Sequence, residues 1–349
     1  MKALKEPTPM FEQMLKEAMD APPSPGLALA ILEESRAPER ALQLFQAATQ
    51  VRDRHLGRTL WWTGAIEGIL PCRLSPMCSY CAYPSEAPWT GPMLVTAVKA
   101  LEGLGLRHLH LSGGTRAEGY DAEILAMVQA VRAVSDLAVE VNLGPSLSRS
   151  TVRSLKELGV ASITSSLETT SEAVFRDAKP GDTLAGRKRL LEMAEAEGLR
   201  TRGMMLLGLG ESLADRIDFL FYFKTLRHRH QLRFSRLMPL PGTRYAERPR
   251  CSPWELARTV AVARLVLPTL ELGLAAGNSH DDIPLWFSAG GGNQLLGAAV
   301  TRARGKTQPG ATSTPLEHGL VLSSRMAIQE RYVREMGLAI RLTPPDSCV

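Results

Sequence analysis

Apolar positions in the middle of this chain follow two rhythms that take turns. Short runs rich in β-branched and aromatic residues fall at 60–70, 108–112, 138–143, 162–168, 202–207, 234–239 and 271–277, with a weaker one around 293–298. Between them lie amphipathic stretches such as 122–133, 150–158, 183–197 and 253–267. In the third of these Leu184, Leu190, Leu191 and Ala194 recur near helical spacing, which predicts one buried helix face. Strands separated by helices imply parallel strands joined by right-handed crossovers. About eight such units predict an α/β fold of the (β/α)8 barrel type, complete or slightly open, rather than a doubly wound sheet.

The two ends stand outside that alternation. Residues 1–58 read as an N-terminal helical extension, broken at Ala21-Pro22-Pro23-Ser24-Pro25. The barrel is assigned to 59–300. Residues 301–349 read as a Gly/Pro/Thr loop at 305–315 and then a basic helix at 324–336, a cap on the barrel. With 349 residues, 44% apolar and 22% charged, the chain can bury a large core. No uninterrupted apolar run is long enough to span a bilayer, and no charged-apolar-small leader precedes the first helix, so the expectation is a cytoplasmic protein with no membrane partner. The formal charge of +5 is scattered, and its densest group, Arg227-His228-Arg229-His230, reads as a solvated helix end rather than a nucleic-acid contact. A small positive bias suits an anionic small molecule or an acidic redox partner.

Cysteine changes the picture. Cys72, Cys78 and Cys81 lie within the run Pro71-Cys72-Arg73-Leu74-Ser75-Pro76-Met77-Cys78-Ser79-Tyr80-Cys81. Five cysteines in this length are too sparse and of the wrong parity for a disulfide framework. Structural zinc would want a fourth Cys or His at compatible spacing, and Cys251 and Cys348 are far away. A four-iron cluster normally takes four thiolates. Three supplied locally leave one iron open to another ligand. The triplet follows the first strand, so in a barrel it lies on the face where strand C-termini carry the chemistry. Other strand ends meet that rim: Ser112-Gly113-Gly114-Thr115, Ser166-Leu167-Glu168-Thr169, Leu207-Gly208-Leu209-Gly210-Glu211 and Pro239-Leu240-Pro241-Gly242-Thr243.

Cys-x5-Cys-x2-Cys after the first strand, an aromatic before the last Cys, Gly-Gly after the second strand and Gly-Leu-Gly-Glu after the fifth resemble a radical S-adenosylmethionine (SAM) enzyme. Within that superfamily the chain resembles the biotin-synthase-like group over about residues 40–300, including the runs 204–211 and 257–268. The resemblance implies a [4Fe-4S] cluster on Cys72, Cys78 and Cys81 whose open iron chelates SAM. It implies reductive cleavage to a 5′-deoxyadenosyl radical, hydrogen abstraction from a small-molecule substrate, and a low-potential electron donor of flavodoxin or ferredoxin type. By the same resemblance Ser112, Gly113, Gly114 and Thr115 present oxygens to the SAM ammonium, although the family often has Glu at the position of Thr115. Glu168 matches the ribose acceptor and Arg187 the partner of the SAM carboxylate, to which Arg offers a planar two-point contact. Tyr80, Leu206 and Met238 would border the adenine.

Departures from biotin synthase narrow the reading. The positions that hold that enzyme's second cluster correspond to the segment around Asn142, to Arg202 and to Gly273, none a cysteine, so sulfur insertion is not expected. Asn142, Ser166 and Arg202 instead imply a polar central pocket for a carboxylated or phosphorylated substrate. The five-residue first gap resembles the maturase of the iron-only hydrogenase, linked to its guanylylpyridinol iron cofactor. Asn278 and His280, on the loop after the seventh strand, would then touch substrate, with His280 a candidate proton donor and a surface histidine as the plainer alternative. A methylornithine-synthase-like rearrangement and a non-catalytic iron–sulfur scaffold are the competing functions.

Overall fold

A computed structural model describes residues 9–83, 87–145, 147–275, 277–302 and 309–343, so Cys348 lies outside the described residues. Helices α1 (Pro9–Asp20), α2 (Pro25–Glu34) and α3 (Pro38–Leu56) come first. Alternation then runs β1 (Leu60–Glu67), α4 (Gly91–Gly103), β2 (His108–Ser112), α5 (Asp121–Arg132), β3 (Ala138–Asn142), α6 (Arg149–Glu157), β4 (Ser162–Glu168), α7 (Glu172–Ala178) and α8 (Leu184–Ala196). It continues with β5 (Arg200–Leu207), α9 (Leu213–Thr225), β6 (Arg229–Arg236), α10 (Pro253–Val266), β7 (Glu271–Leu274), α11 (Ile283–Ser288) and β8 (Gln294–Arg302). The C-terminal segment adds β9 (Thr312–Pro315), β10 (Leu320–Ser324), α12 (Met326–Glu335) and β11 (Ile340–Arg341).

Strands β1 to β7 pair in chain order, each parallel to the next, and β8 pairs parallel with β1. The ring is not strictly closed. Leu272 of β7 meets Gly292 in a single antiparallel bridge, and from Ala298 to Arg302 the other edge of β8 is taken by antiparallel β10. Packing fills the seam: Trp286 is fully buried and donates its indole N–H to Leu272 O at 3.0 Å.

Period-two alternation explains which side chains face where. In β2 to β4 the odd partners Leu109, Leu111, Val139, Val141, Ile163 and Leu167 join the apolar core under the helices. The others, among them His110, Ser112, Asn142, Thr164 and Ser166, face the lumen. A barrel interior is usually filled with branched aliphatics; this one is polar, which is the first structural sign of a site. Helix α10 begins at an N-cap, Ser252 Oγ accepting from Glu255 N at 3.1 Å with Pro253 following, and is buried on every residue from Leu256 to Val266. It is buried all round because α2 and α3 lie over its outer face. Arg258 of α10 donates to Ser35 Oγ at 3.1 Å, and Arg52 of α3 donates to Phe287 O at 2.6 Å while stacking on its ring. The N-terminal extension is therefore an outer layer over the α9–α11 flank.

Two expectations need correction. Strand β6 starts at Arg229, not 234, so Arg229 and His230 enter the sheet instead of ending a helix. Sequence reading lost them because Arg-His-Gln-Leu-Arg is a lumen-facing polar strand with little apolar signal. The C-terminal segment, expected as a loop and a helix, also contributes β9, β10 and β11.

Candidate active site

The cysteine loop leaves β1 at Glu67 and is gripped at both ends by main-chain contacts. At its start Gly114 N donates to Leu70 O at 2.8 Å and Arg73 N to Thr115 O at 2.7 Å. Tyr120, at the start of α5, donates its hydroxyl to Pro71 O at 2.6 Å. The Gly-Gly turn makes this approach feasible: a Cβ on Gly114 would lie 2.3 Å from Cys72 N, and one on Gly113 would lie 2.4 Å from the Leu143 side chain. At its far end Ser79 N donates to Ala178 O at 2.8 Å, Ser79 Oγ to Asp177 O at 2.6 Å, and Tyr245 N to Ser79 O at 2.8 Å. A Cβ on Gly181 would lie 2.2 Å from Pro76 O.

Cys72, Cys78 and Cys81 are free thiols of intermediate exposure. Burial pushes the Cys78 thiol up, and burial followed by the charge on Cys78 pushes Cys81 to about 11. Such thiols ionise when a metal supplies the positive charge. Among the described residues no three Cys, His, Asp or Glu converge as ligands of one ion. In a cuboidal cluster each thiolate binds its own iron, so three thiols on one loop would serve three irons and leave the fourth without a thiolate. The donor set fits a [4Fe-4S] group.

Around this loop the structure gathers most of the predicted SAM set. Glu168 ends β4 in the left-handed region at φ 65° and is buried. Its Oε1 accepts from Tyr80 Oη at 3.1 Å and from Lys179 Nζ at 3.4 Å, while its Oε2 is buried with no partner. An orphaned carboxylate oxygen in a strained backbone position is a common mark of a ligand site. Burial and the Glu168 charge push the Tyr80 hydroxyl up, keeping it a donor. Arg187 of α8 is buried, bonded to Asp182 Oδ2 at 2.6 Å and reaching Thr115 Oγ1 at 3.5 Å. Lys179 and Asp182, which the sequence reading missed, complete the charged ring beside Cys78.

Below the loop opens a cavity of about 360 Å³ whose wall includes Tyr80, Ser112, Asn142, Ser166, Leu206 and Met238. Its floor is an ion-pair layer centred on Glu140 of β3. Glu140 Oε2 lies 2.9 Å from both Arg202 Nη1 and Arg233 Nη2, and its Oε1 lies 2.9 Å from His110 Nδ1 and accepts from Thr164 Oγ1. Burial alone would raise the Glu140 carboxyl, but Arg202, Arg233 and His110 outweigh it and hold it well below its ordinary value. Gln294 Oε1 joins both guanidiniums, accepting from Arg202 at 3.3 Å and from Arg233 at 3.1 Å. Room for Arg233 comes from Gly273, whose Cβ would lie 3.3 Å from the Arg233 side chain.

Three predicted substrate residues lie elsewhere. Arg202 is beneath this floor, not on the cavity wall; Arg233, absent from the sequence reading, faces the lumen in its place. Asn278 spends its amide on Phe234 O at 2.8 Å and Ala275 O at 3.1 Å, bracing the loop after β7. His280 is buried, not on the surface, and packs edge-on against Tyr332 of α12 at 5.7 Å, outside the main cavity. The signal for Arg233 was present: Gln231, Arg233 and Ser235 alternate with Leu232 and Phe234. None of the residues lining the cavity is a cysteine.

Comparison with known proteins follows the same lines. The Radical SAM superfamily matches residues 72–223, and the Biotin and Thiamin Synthesis associated domain matches 234–295. An uncharacterised protein of Methanocaldococcus jannaschii is 30% identical over 241 residues, 66% of this chain and 63% of its own length, so the match spans less than two thirds of that relative. The biotin synthase of Trichlorobacter lovleyi is 27% identical over 302 residues, covering 81% of this chain and 88% of that enzyme. Among solved structures, methylornithine synthase (PylB) superposes with TM-score 0.76 at 19% identity, covering 96% of this chain and 100% of that one. The FeFe-hydrogenase maturase HydG from Carboxydothermus hydrogenoformans gives TM-score 0.80 at 19% identity, covering 97% and 80%. At that identity the two structures speak for the fold. With a three-thiol loop on the rim of a near-closed parallel barrel and two family signatures in chain order, the chain belongs to the radical SAM superfamily, in its biotin-synthase-like group of iron–sulfur, SAM-dependent enzymes.

Proposed function

We propose that this chain abstracts a hydrogen atom from a small anionic substrate held in the barrel lumen, in the assembly of the guanylylpyridinol iron cofactor of iron-only hydrogenase. One observation carries the chemical half of this reading: a 360 Å³ cavity running from the cysteine loop down to Arg233, on a wall whose other charged side chains are Glu67 and Arg236, the latter already paired with Asp282. The five residues between Cys72 and Cys78 support the biosynthetic half, since that gap resembles the corresponding maturase.

Cys72, Cys78 and Cys81 would hold the cluster. The chemistry supplied with cluster and SAM bound is one-electron cleavage of the C5′–S bond, giving a 5′-deoxyadenosyl radical that takes hydrogen from carbon. Everything else is done by the protein's own groups. Glu168 Oε2 accepts a ribose hydroxyl, and Lys179 and Tyr80 fix the Glu168 carboxylate so that this oxygen points to the ligand. Arg187, oriented by Asp182, offers its remaining donors to a carboxylate. The Ser112–Thr115 turn supplies main-chain oxygens near an ammonium. Leu206 and Met238 exclude water from the nucleoside. Arg233 attracts the substrate anion from below, with Glu140 and Gln294 holding the guanidinium in place.

Anaerobic turnover tests both halves. Reconstituted protein with SAM and dithionite should release 5′-deoxyadenosine, and deuterium from a labelled pyridinol-type precursor should appear in it. Uptake of deuterium only from an unrelated carbon skeleton would sink the biosynthetic assignment. No 5′-deoxyadenosine with any cellular extract would sink the rest and leave a scaffold protein.

A further inference from the structure

At the end of the barrel opposite the cysteine loop the strands begin around a second cavity, of about 420 Å³. Trp61, His108, Ala138, Ser162, Arg200 and His230, each the first or second residue of its strand, form the wall. Arg202 lies further in and Lys156 of α6 stands beside it. Among the described residues that line this cavity none is acidic.

Three lining side chains carry a buried polar atom with no partner: Ser162 Oγ, His108 Nδ1 and Arg202 Nε. Ser162 and Arg202 are 0% and 5% exposed, so bulk water does not account for them. Arg202 gives Nη1 to Glu140, Gln231 and Gln294 on its inner side, which leaves the Nε edge for the cavity. The exposed Arg200 side chain makes no hydrogen bond or ion pair among the described residues. His108 and His230 are neutral at pH 7, since burial and then the Arg202 charge lower them to about 4 and about 3. The positive field is therefore that of the arginines and Lys156, with neutral rings beside it. Trp61 and His108 add aromatic surface, their ring centroids 4.7 Å apart and their planes tilted by 54°.

We propose that this cavity is a second ligand site, distinct from the cysteine-side lumen, which takes the oxyanion of a small phosphorylated or carboxylated molecule on Arg200, the Nε edge of Arg202 and the Ser162 hydroxyl. Buried donors converging without an acceptor, in a wall free of carboxylates, are what an oxyanion satisfies and a neutral ligand does not.

Isothermal titration of the cluster-loaded full chain with inorganic phosphate, and separately with benzoate, tests it without reference to radical chemistry. One saturable site per chain is expected for at least one probe, and the probe that binds names the group. Ser162→Ala and Arg200→Ala should each weaken binding about tenfold, the loss of one charge-assisted hydrogen bond. Arg331→Ala, which removes an equal charge from the exposed face of α12, should leave it unchanged. Saturation by neither probe overturns the proposal, and so does equal weakening by Arg331→Ala, which marks a diffuse field. Unchanged unfolding midpoints in the two wall variants keep misfolding from imitating the expected loss. SAM cleavage, followed in the same samples, reports on the proposed reaction separately, so either reading fails alone.

Discussion

At the cysteine end of the barrel geometry is fixed chiefly by main chain against main chain, whereas the floor of the lumen is fixed by side-chain ion pairs. The loop from Pro71 to Ser79 is bonded through Leu70 O, Arg73 N, Pro71 O, Ser79 N and Ser79 O, and glycines at 113, 114 and 181 let its neighbours approach. The floor is Glu140 shared between Arg202 and Arg233, with Gln294 tying the two together. The difference follows from what each end must do. Three thiols bound to one rigid group need a backbone that does not relax, while a substrate-facing floor needs charge whose position can be tuned by packing.

Removing a thiol gives the largest effect. Cys78→Ala should abolish SAM cleavage and lower iron content, read from cluster absorbance and product; full activity in that variant would break the comparison at its root. Gly114→Ala comes next. Its Cβ would sit 2.3 Å from Cys72 N, so the loop must shift, and cluster incorporation should fall sharply with little change at the floor. Overpacking of this kind costs about 1–3 kcal/mol or more. Normal cluster loading would show that the main-chain grip is not what holds the loop.

Glu140→Gln strikes the other end. It leaves the buried Arg202 and the partly buried Arg233 without their carboxylate, a loss of about 3–5 kcal/mol seen in denaturant unfolding. Cluster absorbance in the folded fraction should remain. The same residue sets a pH limb. Its folded value is depressed, so its stabilising contribution is complete above the unfolded carboxylate value of about 4.3 and is lost as pH falls below it. His108 and His230 are also depressed, but as bases that must stay neutral. Stability tied to them is complete above the unfolded value of about 6.5 and is lost as pH falls toward about 4. An acid titration should therefore show two limbs, the histidine one first, and His108→Asn should shrink only that one, leaving the His230 share.

Glu168→Gln should cost the fold less than Glu140→Gln, because the buried Lys179 it leaves behind still donates to Ser166 O at 3.1 Å, and it should act clearly on the ligand. Loss of the charged acceptor should weaken SAM binding about tenfold, as expected for one charge-assisted hydrogen bond. Unchanged SAM affinity would mean that its orphaned Oε2 faces something else.

Much of this was readable in advance wherever local pattern and chain order coincide. Strands β2 and β4 occupy the same residues as the apolar runs at 108–112 and 162–168, and Gly113-Gly114 follows the second strand. Arg233 was readable in principle from the alternation of Gln231, Arg233 and Ser235 with Leu232 and Phe234, but it was missed because the polar strand start carries little apolar signal and the sixth strand was begun one residue too late to include it. His280 and Asn278 were assigned from loop position alone. A loop's place after a strand does not say which way its side chains turn, and here they turn toward α12 and the backbone of β6.

The order of residues by itself determined the alternating strands and helices, the three-thiol loop after the first strand and the glycines that follow the second, since each is a matter of spacing within one segment. Only the tertiary structure decided that Arg233 rather than Arg202 faces the lumen, that Glu168 keeps one oxygen unpartnered, and that the far end of the barrel is an unbalanced basic bowl. Those outcomes depend on which groups from separate strands neutralise one another. That is a sum over neighbours distant in the chain, and no single segment contains it.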